Sequence, residues 1–420
     1  MTIQTVKGTR DFFPEDMAFQ TWLKGLIRDS SEKYGYQEYD GPFLETVDLY
    51  AAKSGEELVK EQSFVFPDRS GDLLTLRPEL TPSLARMVAS LGRSLVRPVR
   101  WWSFGPFWRY EKPQKGRTRE FFQWNLDMLG IDTPQADAEV AAVAVSFLQK
   151  AGLSPEQVKI YINNRRLVDQ QLQGLDINAE NRPSVFRLID RRDKLSFSEW
   201  KNYALSEGLS EGQLSGVQEI LQDRTSWEQC EELVLFFDAA RDLGVSDYLE
   251  YDPSIIRGLD YYTGTVFEAR DLSGDYRAIL GGGRYDNLVA DVGGEPISGV
   301  GFAMGDVVIG IFLKELGLVP DLLPNPAQLL VTTFNDELMG KSLALCQSLR
   351  SAGLRVEWYP LSSRMSKQLK YANRQGIPLV VIMGPDEAES GSVTLKDMRS
   401  GDQSICKLKE LPSAAFKMLE

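Results

Sequence analysis

Five basic residues fall within eleven positions of the sequence: Arg109, Lys112, Lys115, Arg117 and Arg119. A guanidinium offers a rigid fork of donors that matches the oxygens of a phosphate or carboxylate. An arginine fixed at the end of a strand can therefore hold a phosphoryl group, and Arg109 is the residue placed in that way. Alternatively, Arg109 pairs with Glu111 or Glu120 on a solvated surface, as most such charges do. On the first interpretation, this segment binds a polyanion.

The flanking sequence predicts the hairpin that would position these side chains. Residues 101–108 and 121–129 are rich in aromatic and branched side chains, as β-strands are. The polar, turn-forming segment 112–119 lies between them. Two strands joined by such a loop form an antiparallel hairpin, which places Arg109 at the end of the incoming strand.

A second chemical candidate is Glu79, which lies in the sequence Arg-Pro-Glu-Leu-Thr-Pro. Pro78 and Pro82 restrict the backbone around it, so its carboxylate would project from a rigid turn. A carboxylate held in this way could receive the ammonium group of a ligand. Alternatively, Glu79 pairs with Arg77.

The composition excludes the common histidine-dependent mechanisms. The chain has 420 residues, a net charge of -13 and no histidine. Without an imidazole, Ser/His/Asp and Cys/His systems and zinc hydrolases are ruled out. The chemistry must rely on arginines, carboxylates, amides, hydroxyls and metal ions brought by a substrate. A nucleic acid would have to bind a local basic patch on this acidic protein, and salt should weaken that binding steeply.

Cysteine usage and hydropathy predict a soluble protein of a reducing compartment. The three cysteines are far apart and not in a metal-ligand spacing, which argues against a structural zinc site: Cys230, Cys346 and Cys406. The N-terminal segment lacks the apolar core of a signal peptide, and no apolar run is long enough to cross a bilayer. We therefore expect a cytoplasmic protein with no membrane partner.

The order of the predicted elements divides the chain into four segments. Aromatic strands dominate residues 1–164 and return in 249–320. The segment 165–248 between them is rich in Ser, Glu and Gln, which predicts an inserted helical subdomain. This subdomain has either an RNA-binding or a structural role. The Pro-rich segment 320–326 predicts a linker, beyond which strands and helices alternate over 327–420. Besides the hairpin, the predicted strands are 64–67, 73–76, 159–162, 265–269, 329–333, 354–358 and 379–383, and the predicted helices are 83–91 (capped by Thr81 or Ser83), 137–152, 337–353 and 363–376.

Several motifs, in order, resemble those of the class II aminoacyl-tRNA synthetases. The hairpin, with Phe-Trp-Arg-Tyr-Glu before its basic loop and Phe-Phe-Gln after it, is similar to motif 2. The N-terminal helix, strand and proline resemble motif 1, and residues 298–310 resemble motif 3, a strand entering a helix. Residues 257–268 (RGLDYYTGTVFE) and the Gly-rich segment from Leu280 resemble the signature segments of histidyl-tRNA synthetases. Residues 365–398 resemble the anticodon-binding domain of the same family, and the resemblance favours its plant organellar branch.

This resemblance implies an α+β fold. An antiparallel catalytic sheet (1–164 and 249–320) would carry the helical insertion (165–248), followed by an α/β anticodon-binding domain (327–420). It implies a histidine–tRNA ligase that forms histidyl-adenylate from histidine and ATP and transfers the histidyl group to tRNA(His). It also implies a homodimer and Mg2+ that accompanies ATP, with no metal fixed by a protein motif. Two alternatives are an idle paralogue acting as the regulatory subunit of ATP phosphoribosyltransferase, and a tRNA-binding protein without enzymatic activity.

The resemblance also implies roles for individual residues. In the family, the arginines at the places of Arg109 and Arg257 hold the α-phosphate of ATP during adenylation; alternatively, Arg257 pairs with Asp260. The implied ATP-binding set is Arg109, Glu111, Arg117 and Arg257. The implied histidine-binding set is Glu79, Thr81 and Gln123 at the α-amino group, Asp127 and Tyr262 at the imidazole nitrogens, and Tyr261 beside them. The implied tRNA-binding set is Lys115, Arg117, Lys367, Lys370 and Arg374.

The sequence departs from the family pattern at two places. Most relatives carry Glu where this chain has Asp127, so its pocket must be narrower or a water must intervene. Most also carry a Glu-Arg pair shortly after the glycine of motif 3, whereas here Gly305 is followed by Asp-Val-Val, with Val308 at the arginine position. Either Arg284 or Lys115 supplies the missing cation, or nucleotide binding is weakened.

Overall fold

A computed structural model describes residues 3–51, 62–192, 195–258 and 261–419 of the chain. Contacts divide the chain into two units, one formed by residues 1–11 and 21–320 and the other by 12–20 and 321–420. The finer domain boundaries inferred from the sequence stay a prediction. No helix of the described ranges is both long and apolar enough to span a membrane.

The elements up to residue 164 supply four strands of the main sheet and a separate three-stranded sheet. They are α1 (Pro14–Glu32), β1 (Gln37–Glu38), β2 (Leu44–Thr46), α2 (Val47–Ala51), β3 (Phe64–Pro67), β4 (Leu73–Leu76), α3 (Thr81–Leu91), β5 (Val99–Trp108), β6 (Glu120–Leu129), α4 (Pro134–Lys150) and β7 (Val158–Asn164). The hairpin β5–β6 is antiparallel and pairs Trp108 with Glu120, so the predicted motif 2 hairpin is confirmed.

Helices fill the interval between β7 and β8 in the part of it that the structure describes, as predicted. They are α5 (Arg165–Gly174), α6 (Arg182–Asp190), α7 (Phe197–Ser206), α8 (Glu211–Gln222) and α9 (Glu231–Asp242), with short 3-10 turns after α8 and α9. Ser196 and Ser210 begin α7 and α8 with capping boxes, in which the serine and a residue three positions later satisfy each other's backbone N–H groups. Trp200 lies at the centre of the insertion's own apolar core, fully buried.

The chain then returns to the sheet. The elements are β8 (Leu249–Tyr251), β9 (Thr265–Asp271), β10 (Leu280–Tyr285), α10 (Leu288–Asp291), β11 (Gly299–Gly305) and α11 (Asp306–Glu315). In the described ranges, the sheet has eight strands in the order β1-β5-β6-β11-β10-β9-β7-β8. All neighbours from β5 to β7 are antiparallel, whereas the outermost strands β1 and β8 run parallel to theirs. The predicted antiparallel catalytic sheet is therefore confirmed, with parallel edges that the sequence did not predict.

Helix α4 packs on one face of the sheet through buried side chains that are mostly small or branched and apolar. Trp124 of β6 is fully buried, with its ring centroid 5.4 Å from that of Phe147 on α4 and 4.6 Å from that of Phe302 on β11. Thr133 caps the helix by accepting a hydrogen bond from the backbone N–H of Ala136. The opposite face of the sheet is left to carry the polar residues of the site.

The prediction that Thr81 or Ser83 caps α3 is wrong. The helix begins at Thr81, its N-cap is Leu80, and no side chain accepts a hydrogen bond there. Pro82 lies in the first turn, where the N–H that proline lacks has no intrahelical partner in any case. Ser83 is buried instead, with its hydroxyl 3.3 Å from that of Tyr50.

The C-terminal unit contains a five-stranded mixed sheet in the described residues. Its elements are β12 (Leu329–Val331), α12 (Met339–Ser351), β13 (Val356–Trp358), α13 (Met365–Arg374), β14 (Leu379–Ile382), α14 (Pro385–Ser390), β15 (Ser392–Asp397), β16 (Gln403–Lys407) and α15 (Leu411–Leu419). The strand order is β13-β12-β14-β15-β16, parallel among the first three and antiparallel among the last three. The predicted α/β character is confirmed.

Candidate active site

The structure brings the four predicted ATP-binding residues and Gln123 together in one pocket. It lies where β6, β11 and β10 run side by side, with Gly305 opposite Gln123 and Gly281 opposite Ala303 in the sheet register. The remaining wall comes from residues 278–281, at the start of β10, and from 303–308, where β11 meets α11. Three arginines at one pocket favour an anionic ligand. The predicted pocket residues are Arg109, Glu111, Arg117, Gln123 and Arg257.

Arg109 directly follows β5. Two contacts hold its side chain in place. Its Nε donates to the carbonyl of Pro78 at 2.9 Å, and its guanidinium carbon lies 5.3 Å from the centroid of the Phe121 ring. In the described residues, no carboxylate lies within 4 Å of this guanidinium, so pairing with Glu111 or Glu120 is wrong. The two remaining nitrogens are left to a ligand.

Glu111 and Arg117 form an ion pair inside the pocket. Glu111 is buried although it is charged, which its pairing with Arg117 makes possible. Lys115, also in the hairpin loop, is exposed and lies 3.4 Å from Glu315 of α11. The loop thus divides its charges, with Arg117 in the pocket and Lys115 outside it.

Arg257 is held in a constrained position in two ways. Its φ is +60°, a left-handed conformation that is unfavourable for a residue with a Cβ. Its guanidinium pairs with Glu268 of β9, and burial, which opposes the charge, is outweighed by this carboxylate, so that the pKa of Arg257 is raised. Asp260, the alternative partner, lies outside the described residues. Gly281 makes room for this arrangement, because a Cβ there would overlap the Arg257 guanidinium.

A buried arginine of the insertion holds the loop that carries Arg257. Arg165, at the start of α5, donates to the carbonyls of Ile256 at 3.2 Å, Arg257 at 2.6 Å and Tyr262 at 3.0 Å. Donation from one planar guanidinium to three carbonyls fixes the backbone on both sides of residues 258–261. The unfavourable φ of Arg257 is therefore compensated by a charged donor whose partners lie far away in the sequence.

Glu79 and Gln123, two of the residues predicted to bind an amino group, are both buried. Glu79 is buried and accepts a hydrogen bond from the Tyr261 hydroxyl at 3.2 Å. Burial raises the pKa of Tyr261 well above its ordinary value, although a hydrogen bond with Thr81 lowers it. Gln123 is also buried, and within the described ranges its Oε1 has no hydrogen-bond partner. Arg77, the alternative partner of Glu79, pairs with Asp40 at 2.5 Å instead.

Asp127 lies in an apolar, aromatic part of the sheet. It is 3% exposed and accepts a hydrogen bond from the Tyr285 hydroxyl at 2.7 Å. Burial raises the pKa of Asp127 to about 7, and the hydrogen bond with Tyr285 opposes that rise. The Tyr262 ring packs against that of Tyr261, 4.9 Å away, in the same cluster. Gly301 faces Asp127 across the strands, and a Cβ there would overlap the carboxylate and the Leu126 carbonyl.

Motif 3 has the predicted strand-to-helix form, with β11 leading directly into α11. Asp306 is buried and accepts from the Arg10 guanidinium and from the Phe122 backbone N–H, both at 2.9 Å. Its role is thus to fasten α11 to β6. Val307 and Val308 face the pocket and bring no charge to it.

The two residues predicted as possible replacements for the motif 3 arginine each form an ion pair with another residue. Arg284 is 3% exposed and pairs with Asp137 of α4 at 2.5 Å, with further bonds to the carbonyls of Ile131 and Thr133. It holds the sheet to α4 and does not line the pocket, so the prediction that it compensates is wrong. Lys115 pairs with Glu315 on the exposed side of the loop.

The predicted basic residues of the C-terminal unit share one side of α13. Lys367, Lys370 and Arg374 are exposed, whereas Gln368 and Ala372 of the same helix are buried. In the described ranges, none of the three pairs with a carboxylate within 4 Å. We call these three residues the basic face of α13.

Several residues of the site were missed by the sequence reasoning. Four further residues contact or make room for predicted site residues: Tyr285, Glu268, Gly281 and Arg165. Two sequence signals contained three of them, since Glu268 ends the segment 257–268 and the Gly-rich segment from Leu280 contains Gly281 and Tyr285. The partners of Glu268 and Arg165 depend on the sheet order.

The antiparallel sheet, the arginines on its open face and the basic hairpin loop define the catalytic unit of a class II synthetase. A sequence model described as "Histidyl-tRNA synthetase" matches residues 8–306, and one described as "Anticodon binding domain" matches residues 328–417. The two matches together account for both units of the structure.

Named relatives agree with these matches. The histidine–tRNA ligase of Thermoplasma volcanium is 39% identical over 425 residues, which cover 98% of each chain. The chloroplastic/mitochondrial histidine–tRNA ligase of Arabidopsis thaliana is 36% identical, over 96% of this chain and 85% of the relative. The crystal structure of histidyl-tRNA synthetase from Nostoc sp. PCC 7120 aligns over 100% of both chains, with a TM-score of 0.83 and 26% identity. The chain belongs to the histidyl-tRNA synthetase family.

Proposed function

We propose that this protein is a histidine–tRNA ligase. It joins the carboxylate of histidine to the α-phosphate of ATP, releasing pyrophosphate, and then transfers the histidyl group to the terminal ribose of tRNA(His). The observation that carries the proposal is the pocket that Arg109, Arg257 and Gln123 share. Family membership supports the same activity.

The adenylation step needs cations at the α-phosphate. Attack of a carboxylate on phosphorus brings two anions together, and fixed positive charges offset that repulsion. Arg109 and Arg257 serve this purpose, because the first has two nitrogens uncommitted and the second is rigidly held by Glu268. ATP enters the same pocket with Mg2+, which adds positive charge at the phosphates. Glu111 is the carboxylate among the described lining residues that could hold the metal ion through water.

Two groups of polar residues recognise histidine, one at its α-amino group and one at its imidazole ring. Glu79, Thr81 and Gln123 bind the α-amino group, and the unpartnered Oε1 of Gln123 supports this role. Asp127 and Tyr262 hydrogen-bond the imidazole nitrogens, with Tyr261 in place through Glu79. An apolar side chain in this pocket would leave the buried Asp127 carboxyl without its partner, which gives discrimination against similar-sized amino acids.

Transfer to tRNA requires contacts in both units. Lys115 and Arg117 of the hairpin loop contact the acceptor end, and the basic face of α13 contacts the anticodon region. Exposed lysines and arginines suit contacts to phosphates, which set affinity more than sequence preference.

We also propose a homodimer in the cytoplasm. The three-stranded sheet β2-β4-β3 leaves apolar side chains exposed, as a surface that a second copy would cover: Leu44, Val65, Phe66 and Leu73. All three cysteines are free thiols, which supports a reducing compartment.

Histidine-dependent exchange of labelled pyrophosphate into ATP tests the activity. We expect exchange in the wild type and a loss of at least about a hundredfold in Arg257→Ala, since an electrostatic donor to the reacting group is removed. Arg241→Ala is the control, because Arg241 is an exposed residue of α9 paired with Asp238. No exchange by folded wild-type protein with Mg2+ present would refute the ligase. In that case, a protein that still binds tRNA would be a tRNA-binding protein without enzymatic activity. A protein that does not bind tRNA would be the regulatory paralogue, and the lack of charge at Val308 would agree with that role.

A further inference from the structure

Arg277 is a cation next to the pocket lining, and no motif assigns it a role. It lies in the loop between β9 and β10, directly before Ala278, Ile279 and Leu280, which all line the pocket. Its side chain is exposed. Among the described residues, none forms an ion pair or hydrogen bond with Arg277, so its five donors are available.

The loop holds Arg277 between two fixed neighbours. On one side, Asp271 accepts hydrogen bonds from the backbone N–H groups of Asp275 at 3.1 Å and Tyr276 at 3.2 Å. The Tyr276 ring packs on Phe312 of α11 at 5.1 Å, and its hydroxyl bonds Glu315. On the other side, Ile279 bonds to the strand through its backbone N–H, 2.8 Å from the Ala269 carbonyl. Arg277 is therefore presented by an anchored turn.

The electrostatic surroundings of Arg277 fit an anion. Partial burial and then the positive charge of Arg117 lower the pKa of Arg277, and Glu111 opposes this only in part. Arg117 and Glu111 both line the pocket, and residues 278–281, which directly follow Arg277, line it as well, so Arg277 lies in the electrostatic field of the site. Two like charges held near each other at a pocket mouth repel in the absence of ligand, and a polyanion between them removes that repulsion.

The wall next to this loop lacks a charge of its own. Tyr276 packs against α11, whose first turn places Val307 and Val308 in the pocket. Gly116 of the hairpin loop closes on Val308, since a Cβ there would lie 3.4 Å from a Val308 methyl. A cation for the outer part of a bound nucleotide must therefore come from another element.

We propose that Arg277 binds the β- and γ-phosphates of ATP and takes the place of the arginine that motif 3 lacks. This inference rests on the proposed function and extends it to a residue outside the family motifs. The α-phosphate belongs to Arg109 and Arg257, deeper in the pocket. Arg277 and Arg117 close on the outer phosphates from two loops.

Equilibrium titration of ATP and of AMP into Arg277→Ala, Arg277→Lys and wild-type protein tests this proposal. We expect the ATP dissociation constant to rise about tenfold to a hundredfold in Arg277→Ala, as for loss of a charge-assisted hydrogen bond. AMP lacks the outer phosphates, so its affinity should change less than twofold. Arg277→Lys keeps the charge and should lie between the two, and Arg241→Ala should match the wild type.

Two results would overturn the inference. One is an ATP affinity in Arg277→Ala within twofold of the wild type, and the other is an equal weakening of ATP and AMP. Titration does not require turnover, so it tests Arg277 even if histidine-dependent exchange is absent and the ligase proposal fails. If exchange is present, the KM for ATP should rise in Arg277→Ala while the KM for histidine stays within twofold.

Discussion

Replacement of Asp127 by asparagine should stabilise the protein and abolish its activity. Asp127 is 3% exposed, and burial raises the pKa of its carboxyl from an ordinary 3.8 to about 7. An asparagine of nearly the same shape keeps an oxygen that can accept the hydrogen bond from Tyr285, 2.7 Å away. It removes the charge that the folded state has to bury.

The sign and size of the effect depend on pH. Because the carboxyl binds its proton more tightly in the folded state, ionising it destabilises the fold, and this destabilisation grows as pH rises from about 4 to about 7. Above pH 7 the full difference between the two pKa values, 3.8 and about 7, lowers the free energy of unfolding by about 4 kcal/mol. At pH 5 the same relation leaves about 2 kcal/mol. The stability gained by Asp127→Asn should therefore be larger at pH 8 than at pH 5.

Urea unfolding at pH 5 and pH 8, followed by tryptophan fluorescence, measures this difference. Trp124 is fully buried on the same strand as Asp127, so the catalytic unit reports its own unfolding. Asp68→Asn is the control. Asp68 is half-buried in a surface turn, and hydrogen bonds with Ser70 lower the pKa of its carboxyl, so this variant should gain no stability at pH 8. In the exchange assay, Asp127→Asn should lose histidine-dependent activity at both pH values.

An equal gain in unfolding midpoint at both pH values would refute the reasoning. The benefit would then come from packing and not from removal of a buried charge. Full exchange activity in Asp127→Asn would refute the proposed contact with the imidazole.

Three further outcomes follow from the site. Gly281→Ala places a Cβ against the Arg257 guanidinium, so the exchange rate should fall about a hundredfold while the thermal midpoint of unfolding changes little. An unchanged exchange rate would contradict the need for space beside Arg257. Arg165→Lys replaces three donor nitrogens in a planar fork by a single nitrogen, which cannot reproduce their spacing, so kcat of exchange should fall more than tenfold with a smaller change in the KM for histidine. Equal changes in the two constants would indicate a general structural role. Replacing the basic face of α13 by alanines should weaken tRNA binding and reduce its dependence on salt while histidine-dependent exchange is kept, which filter binding at several salt concentrations would check.

Much of the pocket could be predicted because its residues belong to local patterns. The hairpin follows from aromatic strands on either side of a polar loop, and it brings Arg109, Glu111, Arg117 and Gln123 into one region on its own. Motif 3 likewise needs only a strand followed by a helix. Where the pocket is formed by residues close in sequence, the local pattern and the family resemblance were enough to predict which residues it brings together.

The predictions that were wrong concern partners that are distant in sequence. Arg284 was one of two cations proposed as a possible replacement for the arginine missing at Val308, but its charge is neutralised by Asp137, 147 positions away. The alternative pairings of Arg77 and Arg109 with nearby glutamates also failed, since Arg77 pairs with Asp40 and Arg109 bonds a carbonyl. A guanidinium can reach many groups, so its partner is decided by which strands lie next to each other.

The sequence by itself determined the class of the protein, its two-part architecture and the elements that carry the pocket, because periodicity, turn residues and ordered motifs are local properties. Only the tertiary structure decided which charges remain available to a ligand. In the tertiary structure Arg284 is buried, Glu268 pairs with Arg257, Arg165 holds a backbone loop, and Arg277 stays exposed directly before residues that line the pocket. The physical reason is that a charge is neutralised by neighbours in space, and the order of strands in the sheet sets those neighbours.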